Sequence, residues 1–121
     1  MSERAPLPGR PVRGSETGRP LMAAFDLLGR RWMLRILWEM RRGSVRFSEF
    51  RDRIPEASPT TISQRLDELV AARIVNQGRS GYRLTKHGAG LLLALGPLEL
   101  WAQSWGARVA EAGDQESRVN R

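Results

Sequence analysis

Apolar residues recur at helical spacing in several stretches of the chain, and short extended runs break the pattern. Pro20 suits the first turn of a helix, and Leu21, Phe25 and Leu28 then share one face as far as Gly29. A second helix is expected over about 31–42. Trp32, Leu34, Ile36, Leu37, Trp38 and Met40 cover more than one of its faces, which predicts burial on several sides, and Gly43 is its natural terminator. Val45-Arg46-Phe47 could be a minimal strand. Ser48 then reads as the cap of a short helix over 49–54 that offers Phe50 and Ile54 inward and stops at Pro55.

After the turn Glu56-Ala57, Ser58 is a strong N-cap and Pro59 takes the first helical position. Ile62, Leu66, Leu69 and Val70 follow as an inward stripe. Residues 74–77 and 82–84 read as two strands joined by Gly78-Arg79-Ser80-Gly81, a hairpin signal. Thr85 caps the last helix. Leu91, Leu95, Leu98, Ala102, Trp105 and Val109 are spaced 4, 3, 4, 3, 4, with Trp101 and Leu100 widening the seam. Gly96-Pro97 is expected to kink or break that helix.

The pattern is therefore mainly α with a small β-hairpin, an α+β class. Two short helices joined by a tight turn over 47–69, followed at once by a hairpin, make a winged helix-turn-helix with a long C-terminal dimerisation helix. Its domain is expected over 20–112. Residues 1–19 carry Pro6, Pro8, Pro11, Gly9, Gly14 and Gly18 and are expected to be a disordered basic tail; 113–121 are expected to be a frayed polar end.

Charge sharpens this picture. The formal net charge is +7 over 121 residues, and a basic balance favours polyanionic partners, nucleic acid first. Residues 21–57 and 58–90 are each net +3, whereas 91–121 are net −1, so the positive field avoids the last helix. There is no Cys, which excludes disulfides, thiolate metal sites and thiol switches. Met1 to Pro20 lacks the apolar core of a signal peptide, and Gly88 to Leu98 is too short to span a bilayer, so a cytoplasmic protein without membrane contact is expected.

The helix that starts at Ser58 carries the candidate chemistry. Thr60, Thr61, Ser63 and Gln64 lie away from its apolar stripe near the N-terminal end. They are short hydrogen-bonding side chains where an idle surface is usually richer in Glu and Lys. In helix-turn-helix proteins this part of the second helix enters the major groove, where Gln pairs with adenine and Ser or Thr with several base edges. These four are the expected base contacts. Arg46, Ser58, Arg65, Arg79 at the hairpin tip and Arg83 are the expected contacts to the DNA backbone.

Other chemistry finds no support. His87 is the single His and has no ligand partners, so no metal or cofactor is expected. Gly88-Ala89-Gly90 lacks the remaining residues of a phosphate loop. Glu49, Asp52 and Glu56 fit a solvated helix face better than acid–base machinery, and nothing points to an enzyme.

Taken as a set, Asp26-Leu-Leu-Gly29-Arg-Arg-Trp32, Ile36-Leu-Trp38, Arg46-Phe47-Ser-Glu-Phe50, Ile54-Pro55, Ser58, Gln64-Arg-Leu66-Asp-Glu-Leu69, Tyr82-Arg-Leu-Thr85 and Trp105-Gly106 resemble the HxlR-type winged helix-turn-helix transcriptional regulators. The resemblance covers about Arg19 to Gly106. It implies a small cytosolic homodimer whose first and last helices build the interface, and a recognition helix near 58–73 that enters the major groove. Family members often carry a Cys just before the first helix, used by some as a sensor; here that position is Arg19. The wing, at 74–85, is also shorter than usual.

The expectation is a homodimeric, sequence-specific DNA-binding regulator of transcription, with repression favoured over activation. Leu21, Phe25, Leu91, Leu95, Leu98, Trp101, Ala102, Trp105 and Val109 would form the dimer interface. The competing reading is a winged-helix protein-interaction module with no specific operator. A further reading has the seam, with Trp101, Trp105, Phe25 and Trp38, enclose a small apolar effector; plain core is the simpler account of that stripe.

Overall fold

The computed structural model describes residues 5–119. Its elements run α1 (Pro20–Leu28), α2 (Met33–Glu39), α3 (Phe47–Arg53), α4 (Pro59–Ala71), β1 (Val75–Gly78), β2 (Gly81–Leu84) and α5 (Lys86–Val119). The chain divides into two compact units, residues 1–90 and 91–121, so α5 starts in the first and continues through the second.

The core of the first unit is built by α2, α3 and α4. Met33, Ile36, Leu37, Met40, Phe50, Ile54, Ile62, Leu66, Leu69 and Val75 are all essentially inaccessible to solvent. Each such side chain contributes about 1.5–3 kcal/mol relative to exposure. Ala23 and Leu27 of α1 add to this core. Two members of the expected pattern do not. Val70 is 38% exposed and leaves the stripe on α4. Leu34 and Trp38 of α2 are about as exposed, so α2 buries one side only. Arg41 lies over the Trp38 ring at 4.2 Å, which keeps the indole in water with a cation on its face.

Helix boundaries shift for physical reasons. α2 begins at Met33 because Trp32 has φ 69, a left-handed conformation that ends regular helix geometry. Such strain at a non-glycine residue costs about 1–3 kcal/mol. α3 begins at Phe47, with Arg46 as its N-cap in place of Ser48, and the Arg46 N–H donates to Glu49 Oε1 at 3.0 Å. α4 ends in a Schellman pattern: the Arg73 N–H donates to the Val70 carbonyl and the Ile74 N–H to the Leu69 carbonyl, each at 3.0 Å, with Arg73 at φ 60.

β1 and β2 pair antiparallel, with Val75 opposite Leu84 and Gly78 opposite Gly81. The connection is thus Arg79-Ser80, two residues shorter than expected. Val45 bridges to Tyr82 on the open edge of β2, with two 2.8 Å backbone bonds. The strand expected over 45–47 is thus reduced to a one-residue bridge, because Arg46 caps α3 and Phe47 begins it. Gly81 has φ 115, and a Cβ there would lie 2.5 Å from the Val45 carbonyl oxygen, so this crossing needs glycine. Thr85 closes the hairpin: its N–H donates to the Ile74 carbonyl at 2.9 Å, and its Oγ1 accepts the Gly88 N–H at 3.1 Å.

Residues 5–19 form a series of tight turns. Gly9 N–H donates to the Gly18 carbonyl, and Val12 and Ser15 exchange backbone bonds. Ala5 is buried and accepts a hydrogen bond from the Arg10 guanidinium. Gly9, Gly14 and Gly18 all have positive φ and serve as turn residues. Residues 1–4 lie outside the described residues. At the other end, α5 runs through Gly96-Pro97 without interruption and continues to Val119, past the expected end at 112. Ala, Glu and Gln are good helix formers, which favours that extension. Residues 120–121 lie outside the described residues.

Candidate nucleic-acid interface

α4 is a 13-residue helix whose start is set by Ser58. Ser58 Oγ accepts the Thr61 N–H at 3.1 Å and donates to Thr61 Oγ1 at 2.9 Å. Pro59 follows at the position where its missing N–H costs nothing. The apolar stripe Ile62, Leu66, Leu69 is fully buried, and this fixes the opposite face toward solvent. Thr60, Ser63 and Gln64 are exposed there, and Thr61 is half-buried. Three neighbouring hydrogen-bonding groups are therefore free to meet a ligand at the N-terminal end of a helix anchored along its other side.

The expected backbone contacts divide. Arg79 and Arg83 are exposed on the wing, and Arg46 is exposed where α3 begins. Arg65 is different. Its Nε donates to the Arg31 carbonyl at 2.9 Å, and its NH1 binds Glu68 Oε1. With 17% of its side chain exposed, Arg65 is held by these protein acceptors. Ser58 is likewise occupied by Thr61, although it remains exposed.

Three features went unread in the sequence. Glu68 is buried, and its Oε2 accepts from Arg30 NH1 at 2.7 Å while Arg65 holds Oε1. The spacing Arg65-x-x-Glu68 was the available signal, since residues three apart on a helix are neighbours. Ser48, Arg51, Asp52, Pro55, Ala57 and Pro59 line an open depression of about 380 Å³ where α3 meets the start of α4. The Tyr82 phenol is held above its ordinary value, by burial first and by the Asp67 carboxylate second. Tyr82 also packs edge-on against Phe50 at 6.2 Å, which ties the wing to α3.

Of the residues expected at a dimer interface, Leu21 and Phe25 on α1 are exposed by more than half. On α5, Leu98, Trp101, Trp105 and Val109 are exposed to a similar degree, Ala102 is exposed, and Leu91 and Leu95 are half-buried. Trp101 and Trp105 stack in parallel, 5.3 Å between centroids. Among the described residues, no helix is long and apolar enough to cross a membrane.

A short helix, a tight turn, an anchored second helix with a polar outer face and an adjoining two-stranded wing define a winged helix-turn-helix, the architecture of DNA-binding transcription regulators. The chain belongs to the HxlR-like helix-turn-helix family, whose model matches residues 27–110. It is 35% identical over 89 residues to the HTH-type transcriptional regulator YvaP of Bacillus subtilis, covering 68% of this chain and 82% of that one. It is 31% identical over 99 residues to the HTH-type transcriptional regulator YodB of the same organism, covering 76% and 85%. The quinone-bound YodB structure superposes with a TM-score of 0.66 over 70% of this chain and 97% of that one, at 33% identity. A MarR-family regulator from Enterococcus faecalis shares the fold, with a TM-score of 0.67 over 84% and 99% at 20% identity.

Proposed function

We propose that the protein is a homodimeric repressor that binds a specific DNA sequence through α4. The observation that carries this reading is the outer face at the start of α4. Thr60, Ser63 and Gln64 are exposed, uncharged and able to donate and accept, on a helix locked to the core by Ile62, Leu66 and Leu69. Such a face carries no charge to hold a phosphate by attraction, and its donors and acceptors can pair with base edges. Thr61 joins it from a half-buried position. Arg79, Arg83 and Arg46 supply the charge that holds the flanking backbone, which makes affinity strongly dependent on salt.

Two copies would present their α4 helices to successive major grooves about 34 Å apart, on an imperfect palindrome. The exposed apolar residues of α1 and α5 are the surfaces a second copy would cover. Repression would follow from occupying the promoter. The quinone-bound relative suggests a small-molecule effector; with no Cys in this chain, such an effector would be held without a thiol.

Selection from a pool of random duplexes tests the reading. An enriched imperfect palindrome with half-site centres about 10 base pairs apart is expected. A pool that stays random after successive rounds would instead favour a winged helix whose partner is a protein.

A further inference from the structure

The Arg30–Glu68–Arg65 cluster reads no base, yet it joins α4 to the junction between α1 and α2 at two points. Both carboxylate oxygens of buried Glu68 are taken, Oε2 by Arg30 at 2.7 Å and Oε1 by Arg65. Arg65 also reaches back to the Arg31 carbonyl at 2.9 Å. Trp32, the strained residue at φ 69, is the next in the chain, and the Arg31 guanidinium lies over its ring at 5.7 Å. On the α1 side, Arg30 Nε lies 4.0 Å from Asp26 Oδ1, and Asp26 Oδ2 accepts the Arg13 N–H at 3.2 Å. A polar path thus runs from the N-terminal turn through α1 to the middle of α4.

Buried ion clusters add little net stability, because desolvation offsets attraction, but their geometry can favour one arrangement over its neighbours. Here the cluster coincides with a residue held in left-handed conformation, and such strain persists only where surrounding structure holds it. We propose that Glu68 is a positioning residue that couples α1 to the recognition helix. By holding Arg65 and Arg30 together, it sets how α4 sits on the α1–α2 junction and so how Thr60, Ser63 and Gln64 meet base edges. This rests on the DNA-binding reading. It also gives the exposed Leu21 and Phe25 face of α1 a route to the DNA surface: whatever grips α1 acts on α4 through Asp26, Arg30 and Glu68.

Glu68→Gln and Arg65→Met test it. In Arg65→Met the Glu68 carboxylate keeps Arg30, so no buried charge is stranded and the fold should hold even if Glu68→Gln does not. Affinity is measured for the selected duplex and for a shuffled one, across a salt series. Glu68→Gln is expected to lower the ratio of specific to shuffled affinity by about tenfold or more. Its salt slope on shuffled DNA should steepen by about one, because the released Arg65 gains a phosphate. Arg65→Met should lower the ratio without steepening the slope. A loss of the same factor on both duplexes would make the cluster merely structural and overturn the proposal. A shallower slope in Arg65→Met would place Arg65 on a phosphate and overturn it too. Hydrogen exchange without DNA supplies a separate readout: the variants should loosen peptides from both α1 and α4, and loosening confined to α4 would refute the coupling. A wild-type ratio near one would defeat the DNA-binding reading, and the exchange result then decides the coupling by itself.

Discussion

Ser58 Oγ accepts the Thr61 backbone N–H at 3.1 Å and donates to the Thr61 hydroxyl at 2.9 Å, so two side chains beside the exposed polar end of α4 close its first turn. Ser58→Ala should therefore act first on stability. A loss of about 1 kcal/mol is expected. Urea unfolding of the variant would report it as a lower midpoint with an unchanged slope.

Gln64 and Arg79 should separate reading from holding. Gln64→Ala is expected to cost about 1–3 kcal/mol on the selected site and to relax the preference at one base pair. Arg79→Ala should weaken all duplexes about equally and reduce the salt slope by about one. Repeating the selection with Gln64→Ala is the decisive check; an unaltered preferred site would mean that this face of α4 does not read bases.

The exposed Trp101–Trp105 stack lies on the surface assigned to a second copy. Trp105→Glu places a charge there and should convert the proposed dimer to monomer in sedimentation velocity. Operator affinity should fall by more than tenfold, because one half-site contributes only part of the binding. A wild-type protein that sediments as a monomer at micromolar concentration would contradict this assignment.

Tyr82 gives a pH prediction. Its folded-state pKa is raised above the ordinary 10.0. Its contribution to stability is therefore complete below pH 10 and is lost as pH rises through the folded value. It is the single Tyr in the chain, so phenolate absorbance reports it alone. The expected midpoint lies above 10. Tyr82→Phe should show a smaller loss of stability above pH 10 than the wild type.

What could be read in advance followed from local chemistry. Ser58-Pro59 marked the start of α4, the Gly-bounded segment marked the wing, and Thr85 marked the start of α5, because caps and turns are set by neighbours in sequence. Glu68 was not legible as buried. Its partner Arg30 lies 38 residues away, and only the folded packing brings them together. The acceptors of Arg65 were hidden for the same reason: an Arg near the edge of a stripe reads as free until they are known. Trp32 gives no sign in sequence that it adopts a left-handed conformation. The tight turns of the Gly- and Pro-rich start were not legible either, since composition does not distinguish a disordered tail from a chain of tight turns.

Sequence-specific binding is read by fluorescence anisotropy with the selected duplex and a shuffled duplex of equal composition, titrated side by side across a salt series. At least about 10³-fold tighter binding to the selected duplex is expected at physiological salt, with affinity for both falling steeply as salt rises. Equal, weak binding to the two duplexes at every salt concentration would contradict it.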